Sequence, residues 1–380
     1  MKTDLVNLSQ VCIMTTGKLN SNAAVENGEY PFFTCAQETY RINKYAFDTE
    51  AVLLGGNNAN GVFPLKYYKG KFNAYQRTYI MESIDKNVLL TRYLYYALKP
   101  ALTHFQSASI GAATQYLTKS ILDNFKIRLH SIEVQRKIIN YVSNYDDLIE
   151  NNLKRIHLLE KLIHLVFKEW FVQLRYPGHE NKSMVAGVPE GWEKVNVPDL
   201  IQINPRTSVP KDKINKYVDM AALSEESMVI KEFKEKNGNS GSKFKNGDTL
   251  FARITPSLEN GKTGFVNFLA ENETAIGSTE FIVLRPKSVS AEFVYCLART
   301  YNFREKAIKS MVGSSGRQRV QVSCFDDYSL LKPPNTVLDM FNSFAKPIFN
   351  EIRVLTQQNH KLQQARDLLL PKLMNGEIKV

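Results

Sequence analysis

Cysteine is scarce in this chain. Cys12, Cys35, Cys296 and Cys324 lie far apart and form no Cys-x-x-Cys pair, so neither a zinc ribbon nor a disulfide framework is indicated, and buried thiols in a reducing compartment are expected. No apolar run approaches the ~18 residues that a spanning helix needs, and Met1-Lys2-Thr3-Asp4-Leu5 carries no secretory leader. These absences predict a cytoplasmic protein without a membrane partner. Signatures of catalysis are missing as well. Gly261-Lys262-Thr263 looks like the end of a phosphate loop, but Pro256 stands where that loop needs a glycine. The stretch from Gly55 to Gly61 is glycine-rich without the GxGxxG spacing. Glu232-Phe233-Lys234 falls inside a charged run from Lys231 to Lys236 and reads as a solvated loop rather than a nuclease site. Lys332-Pro333-Pro334-Asn335 has the wrong order for the Asn-Pro-Pro box of amino-methyltransferases and reads as a helix entry. His157 and His164 stand seven residues apart on a helical pattern, too far for a metal pair one turn apart, and are expected to face outward. Acidic surplus is absent too. With 49 Lys and Arg against 38 Asp and Glu, the net charge of +11 makes a polyanion the first partner to test.

The chain does contain a repeat. Gly111-Ala112-Ala113-Thr114-Gln115-Tyr116-Leu117 runs through Asp123-Asn124-Phe125 into a helical pattern near Glu133, and Gly313-Ser314-Ser315-Gly316-Arg317-Gln318-Arg319-Val320 runs through Asp326-Asp327-Tyr328 into another near Asn335. Gln115 and Gln318, Asp123 and Asp326, and Phe125 and Tyr328 are each separated by 203 positions. Upstream, Tyr93 answers Phe293, Tyr79 answers Phe281, and Tyr30 answers Tyr217. Each copy begins with short alternating or apolar runs, such as Ala51–Leu54, Thr78–Met81, Asp248–Ala252 and Glu280–Leu284, between turn-rich stretches. The expected class is α+β, with mixed α/β domains at 1–130 and 176–332, each followed by a long helix at 131–175 and 333–380. Tyr176 to Lys182 reads as the boundary between the copies.

The helices carry the strongest periodicity. Val142, Tyr145, Ile149, Asn152, Ile156, Leu159 and Ile163, continuing to Val166 and Trp170, are spaced by alternating threes and fours. Phe341, Ala345, Ile348, Ile352, Leu355, Asn359, Leu362, Arg366 and Leu369 repeat that spacing. Each seam holds one Asn near its middle, as expected where a buried polar residue fixes register. The seams predict an antiparallel coiled coil, which would act as a ruler between the domains. The alternative is that each helix only covers its own domain's core.

The remaining features suit binding. In the first copy Lys66, Tyr68, Lys69 and Lys71 precede Gln76 and Arg77. In the second, Lys243, Lys245, Arg253 and Lys262 occupy comparable loops. Thr114, Gln115 and Tyr116, and Ser314, Ser315, Arg317, Gln318 and Arg319, follow the glycines of the repeated motif. Lys and Arg meet phosphates, whereas Gln, Asn and Arg also pair with base edges in the major groove. The competing reading makes these segments structural turns leading into the strand before each helix.

The whole chain resembles the specificity subunits of type I restriction-modification systems. The resemblance rests on the doubled Gly-small-small-Gln pattern and on Asp-Asn-Phe or Asp-Asp-Tyr before a strand and long helix. It rests also on His130-Ser131-Ile132-Glu133-Val134-Gln135-Arg136-Lys137-Ile138, Phe167-Lys168-Glu169-Trp170-Phe171, and the tail from Leu368-Leu369-Leu370-Pro371-Lys372-Leu373 to Ile378. Such a resemblance implies two target recognition domains, each reading half of a split, asymmetric sequence in double-stranded DNA. It implies a helical pair that sets the gap and docks two modification (methyltransferase) subunits, with a restriction subunit joining them. It implies no catalytic residue and no cofactor in this chain; S-adenosylmethionine, ATP and Mg belong to the partners. The first copy has Asn57, Asn58 and Asn60 where the second has Ile254-Thr255-Pro256-Ser257, so contacts do not transfer between copies. Two other readings stay open: the specificity module of a fused restriction or methyltransferase enzyme, and a helical scaffold that binds only protein.

Overall fold

A computed structural model describes residues 4–59, 61–314 and 316–380, in two compact units. The first joins residues up to Ile149 with Lys361–Val380, and the second is Glu150–His360. Both long helices, Ile132–Phe167 and Asn335–Met374, are therefore divided between the units instead of standing apart from them. Among the described residues no helix is long and apolar enough to cross a membrane.

In the first unit, strand Asp4–Asn7 pairs antiparallel with Lys126–Leu129, bringing the start of the domain against the strand that feeds the helix. Its main sheet has six strands in the order Cys12–Thr16, Thr78–Ser83, Phe47–Gly55, Leu65–Ala74, Tyr30–Phe33, Tyr40–Ile42. The pairing is antiparallel except where Tyr30–Phe33 runs parallel to Leu65–Ala74. Apolar residues at period two place Val52, Leu54 and Met81 on one face, against helix Thr91–Leu98, and Ala51, Leu53 and Ile80 on the other. Ile138 and Val142 of the first long helix and Leu370, Leu373 and Met374 of the second complete the core. Gln135, fully buried, accepts from the Leu90 amide at 2.9 Å and donates to the Val88 and His130 carbonyls at 2.8 Å, so it caps the start of helix Thr91–Leu98.

The second unit repeats the frame. Strand Glu193–Asn196 pairs with Ser329–Lys332, and one-turn helices follow the first strand in both units. In each, the Asn before the turn donates its amide to the residue three on: Asn7 to Gln10 at 2.9 Å and Asn196 to Asp199 at 3.2 Å. The strands divide into two four-stranded sheets: Ile201–Ile203, Phe281–Pro286, Thr249–Ala252, Thr263–Phe265, and Lys234–Asn237, Ile214–Val218, Thr274–Gly277, Ser242–Lys245. The run around Glu232-Phe233-Lys234 thus enters an exposed strand, where Lys234 pairs with Asp219 at 2.6 Å, instead of remaining a loop. The boundary segment is anchored: Tyr176 packs with Trp192 and Val337.

The seams are buried. Val142, Ile149, Asn152, Ile156 and Ile163 are buried, with Tyr145 and Leu159 half-buried; Ile348, Ile352, Leu355 and Asn359 are buried, with Leu362 half-buried. Within the second unit Asn152 Nδ2 donates to Asn359 Oδ1 at 2.9 Å and Arg155 pairs with Glu351 at 2.5 Å, so the helix segments run in opposite directions. Within the first unit Arg366 donates to Asp146 at 2.7 Å, as does Tyr96 at 2.9 Å, with Lys99 at 3.4 Å. Burial alone would raise the Asp146 carboxyl, but Lys99, Arg366 and Tyr96 together hold it below the usual range. The same helices also line their own units' cores, so covering the core and pairing are concurrent.

His164 departs from the outward orientation expected of it. Its ring lies 5.8 Å from that of Tyr295, its Nε2 is buried without a partner, and burial beside Arg299 pushes its pKa down to about 4. His157 is exposed as expected. Cys12 and Cys296 are buried thiols, whereas Cys35 and Cys324 are half-buried.

Candidate nucleic-acid interface

The repeated glycine motif forms a loop closed on itself in both units. In the first, Ile110 and Tyr116 exchange backbone hydrogen bonds at 3.1 and 2.8 Å; in the second, Val312 and Arg319 do so at 3.1 and 2.9 Å. Gly111 at φ 131° and Gly313 at φ 130° open the loops in a conformation that side-chain-bearing residues avoid. Each loop is stitched to the central strand in the same way. The Gly56 amide donates to the Arg77 carbonyl at 2.7 Å and the Gly56 carbonyl accepts from Leu117 at 2.9 Å; Arg253 makes the matching bonds with Glu280 at 3.0 Å and Val320 at 2.9 Å. Tyr116 pairs with Asn57 and Gln115 with Asn58, where the second unit pairs Arg319 with Ile254. Asn60 and Ser315 lie outside the described residues.

This stitching fixes the correspondence between copies. Arg77 matches Glu280 and Tyr116 matches Arg319, both 203 positions apart, and Gly56 matches Arg253. It also shifts one expected pair by a residue: Thr78, not Tyr79, stands at the place of Phe281, and Tyr79 matches Ile282. At equivalent backbone positions the chemistry differs. In the first unit the Arg77 guanidinium lies 5.3 Å over the Tyr116 ring. In the second, Arg319 is held by both oxygens of Glu280, the nearest contact being 2.7 Å.

The other candidates fall into separate groups. Gln76 is exposed beside Arg77 and donates to Asn20 at 2.9 Å. Gln115 spends its amide within its own loop, donating to the Gly111 carbonyl at 2.7 Å and accepting from Ser109 Oγ at 3.0 Å; Thr114 beside it is half-buried. Gln318 is half-buried, its backbone amide donating to Thr255 Oγ1 at 3.1 Å, while Ser314 and Arg317 are exposed. Lys66, Tyr68, Lys69 and Lys71 belong to the long hairpin, away from the glycine loop in the ladder. Lys66 is clamped by the Ala36 and Glu38 carbonyls and Thr39, and burial, opposed in part by Glu38, pushes its pKa down to about 8. Tyr68 packs on Phe33 and Phe72, Lys71 lies 4.7 Å over the Tyr45 ring, and Lys69 is exposed. Lys262 donates to the Met220 carbonyl at 3.3 Å, Lys245 is exposed, and Lys243 and Arg253 share a cleft. Sequence reasoning did not single out Glu280, which holds Arg319, or Arg206, which lines the cleft with Lys243 and Arg253. The first was within reach, because 203 positions after Arg77 falls on Glu280.

Residues 2–161 and 189–337 match the type I restriction modification DNA specificity domain, once in each half. The chain belongs to that family. A specificity subunit of the type I restriction enzyme EcoDI from Escherichia coli is 31% identical over 233 residues, which cover 55% of this chain and 51% of that protein. The chain thus aligns with about half the length of that relative. The MjaIX specificity subunit of Methanocaldococcus jannaschii is 27% identical over 321 residues, covering 78% of this chain and 71% of that one. Among solved structures, the S subunit of a type I restriction-modification system from M. genitalium superposes with a TM-score of 0.60 at 14% identity, over 98% of this chain and 96% of that one. That last similarity concerns the fold. In the type I specificity family frame, the matched loops and the unmatched side chains on them form the candidate interface.

Proposed function

We propose that this chain reads DNA sequence for a type I restriction-modification complex in the cytoplasm. The first domain reads one half-site and the second reads the other, in an asymmetric bipartite target. The carrying observation is the exchange of side chains on a repeated backbone: Arg77 with Tyr116 in one unit, Glu280 with Arg319 in the other. Arginine pairs with guanine edges, and the frame presents its arginine from the Arg77 position in one unit and from the Arg319 position in the other, so it can present two different base preferences. The two long helices form a coiled coil that sets the gap and docks two methyltransferase subunits, to which a restriction subunit adds. Methyl transfer with S-adenosylmethionine, and ATP- and Mg-dependent cleavage, belong to those partners.

Replacing the segment from Met1 to Leu129 with that of another specificity subunit tests this. Methylated adenines mapped genome-wide should change in one half of the target and keep the other half. A change in both halves would refute one domain for one half-site. Methylation by the purified chain alone would show an enzyme instead, and binding that neither weakens with salt nor prefers a sequence would show a protein scaffold.

A further inference from the structure

The second unit has a cleft of about 380 Å³ between the loop after strand Ile201–Ile203 and the start of strand Ser242–Lys245. Arg206, Lys243 and Arg253 line it together with Thr207, Ser242 and Thr279, and no carboxylate does. The nearby acids are already engaged: Glu280 holds Arg319, and Asp248 holds Arg285 with two bonds of 2.7 Å. Arg206 and Lys243 take part in no ion pair among the described residues. Among the described residues the Arg253 guanidinium bonds only the Val320 carbonyl, at 3.2 Å, and its Nε is buried without a partner. Cationic side chains lining a cleft that no carboxylate enters suit an anion with several acceptor oxygens.

The walls are built to hold a shape. Asn204 accepts from the Val283 amide at 2.9 Å, Thr207 accepts from Arg285 at 2.9 Å, and Ser242 donates to the Phe281 carbonyl at 3.0 Å. Gly241, at φ 122°, lets its strand approach Gly277 so closely that a Cβ there would meet the Gly277 carbonyl oxygen at 2.1 Å. In the first unit the place of Arg253 is taken by Gly56, which has no side chain to offer.

We propose that this cleft seats one phosphate of the DNA backbone, giving the second half-site an electrostatic anchor that the first does not share. The proposal rests on the DNA-reading function above. Arg253 and Arg206 act on the phosphodiester and not on base edges, so they set affinity and leave sequence choice alone.

The test uses the full chain with a random-sequence duplex of about 40 base pairs, together with enrichment of preferred sequences from a pool. Arg253→Gln should weaken duplex binding roughly 5- to 20-fold near 0.1 M salt and lower the slope of log affinity against log salt by about one, with the enriched sequence unchanged. Arg206→Ala should do the same to a smaller extent, and it keeps the test decisive if Arg253→Gln fails to fold by circular dichroism. Unchanged affinity and slope in the folded variants would overturn the cleft, as would a changed enriched sequence, which would make these residues base readers. Inorganic phosphate that binds wild type but not Arg253→Gln, and leaves duplex affinity unchanged when added, would overturn it in favour of a small-anion site. Wild-type chain that enriches no sequence would instead sink the DNA-reading function itself.

Discussion

The long hairpin of the first unit and its counterpart in the second differ where the rest of the frame agrees. Strands Phe47–Gly55 and Leu65–Ala74 run unbroken through eight paired positions. In the second unit the same path is split into Ser242–Lys245 and Thr249–Ala252 on one side, and Thr263–Phe265 and Thr274–Gly277 on the other. The break sits at Asn246-Gly247-Asp248, where Gly247 takes φ 87° and the buried Asp248 accepts from the Lys245 amide at 2.8 Å while gripping Arg285. A single sheet therefore becomes two. The closing strand pair, the capped one-turn helix and the glycine loop survive that change, so the frame depends on its edges and tolerates remodelling of its middle.

The largest effect should come from Asp248. Asp248→Ala leaves the half-buried Arg285 with only Thr207, and a loss of about 3 kcal/mol confined to the second unit is expected from hydrogen exchange resolved by residue. Equal loss of protection in the first unit would show that the ion pair does not act locally. The two loop glycines compare next. A Cβ on Gly111 would meet the Thr114 carbonyl oxygen at 2.0 Å, against 3.1 Å from Gly313 to that of Arg317. Gly111→Ala should cost about 2–4 kcal/mol and Gly313→Ala about 1–2 kcal/mol in thermal unfolding. The reverse order would mean that the longer second loop is the stiffer one.

His164 gives a pH dependence to the second unit. Its folded pKa, about 4, lies below its unfolded value, so the unfolded state binds the proton first on acidification. Stability due to its neutral form is full above pH ~6.5 and declines towards pH 4, by on the order of 2 kcal/mol. Buried Glu160, whose pKa burial raises, acts in the opposite sense, so the difference between wild type and His164→Phe across that window is the informative quantity. A difference that stays flat from pH 7 to about 4 would rule this out. The smallest effect belongs to the seam. Asn152→Ala strands Asn359 and should cost about 1 kcal/mol, whereas changing both to Leu should be neutral or stabilising while loosening register, as seen by cross-linking between the helices.

The seams were legible in the sequence because a period of 3.5 is local and survives any tertiary context. Burial of Val142, Ile149, Ile352 and Leu355 follows from it directly. The glycine loops were legible as a repeat, but their role was not: Gln115 satisfies its own turn, a preference fixed by a carbonyl four residues away whose direction only φ at Gly111 reveals. The split hairpin was hidden for a different reason. Strand pairing is non-local, and Lys245-Asn246-Gly247-Asp248 reads equally as the end of a hairpin or a break within one. His164 fell on the wrong face because its neighbour Tyr295 comes from a helix more than a hundred residues on.

The division of the long helices has a consequence for how the molecule is made. The second unit is one continuous stretch, Glu150–His360, and holds everything its core requires as soon as that stretch has left the ribosome. The first unit, although its larger part is synthesised earlier, lacks Leu370, Leu373 and Met374 until Lys361–Val380 arrives. Synthesis order and completion order of the two units are therefore inverted, and the half that emerges earlier must wait, with an open apolar face, for Lys361–Val380.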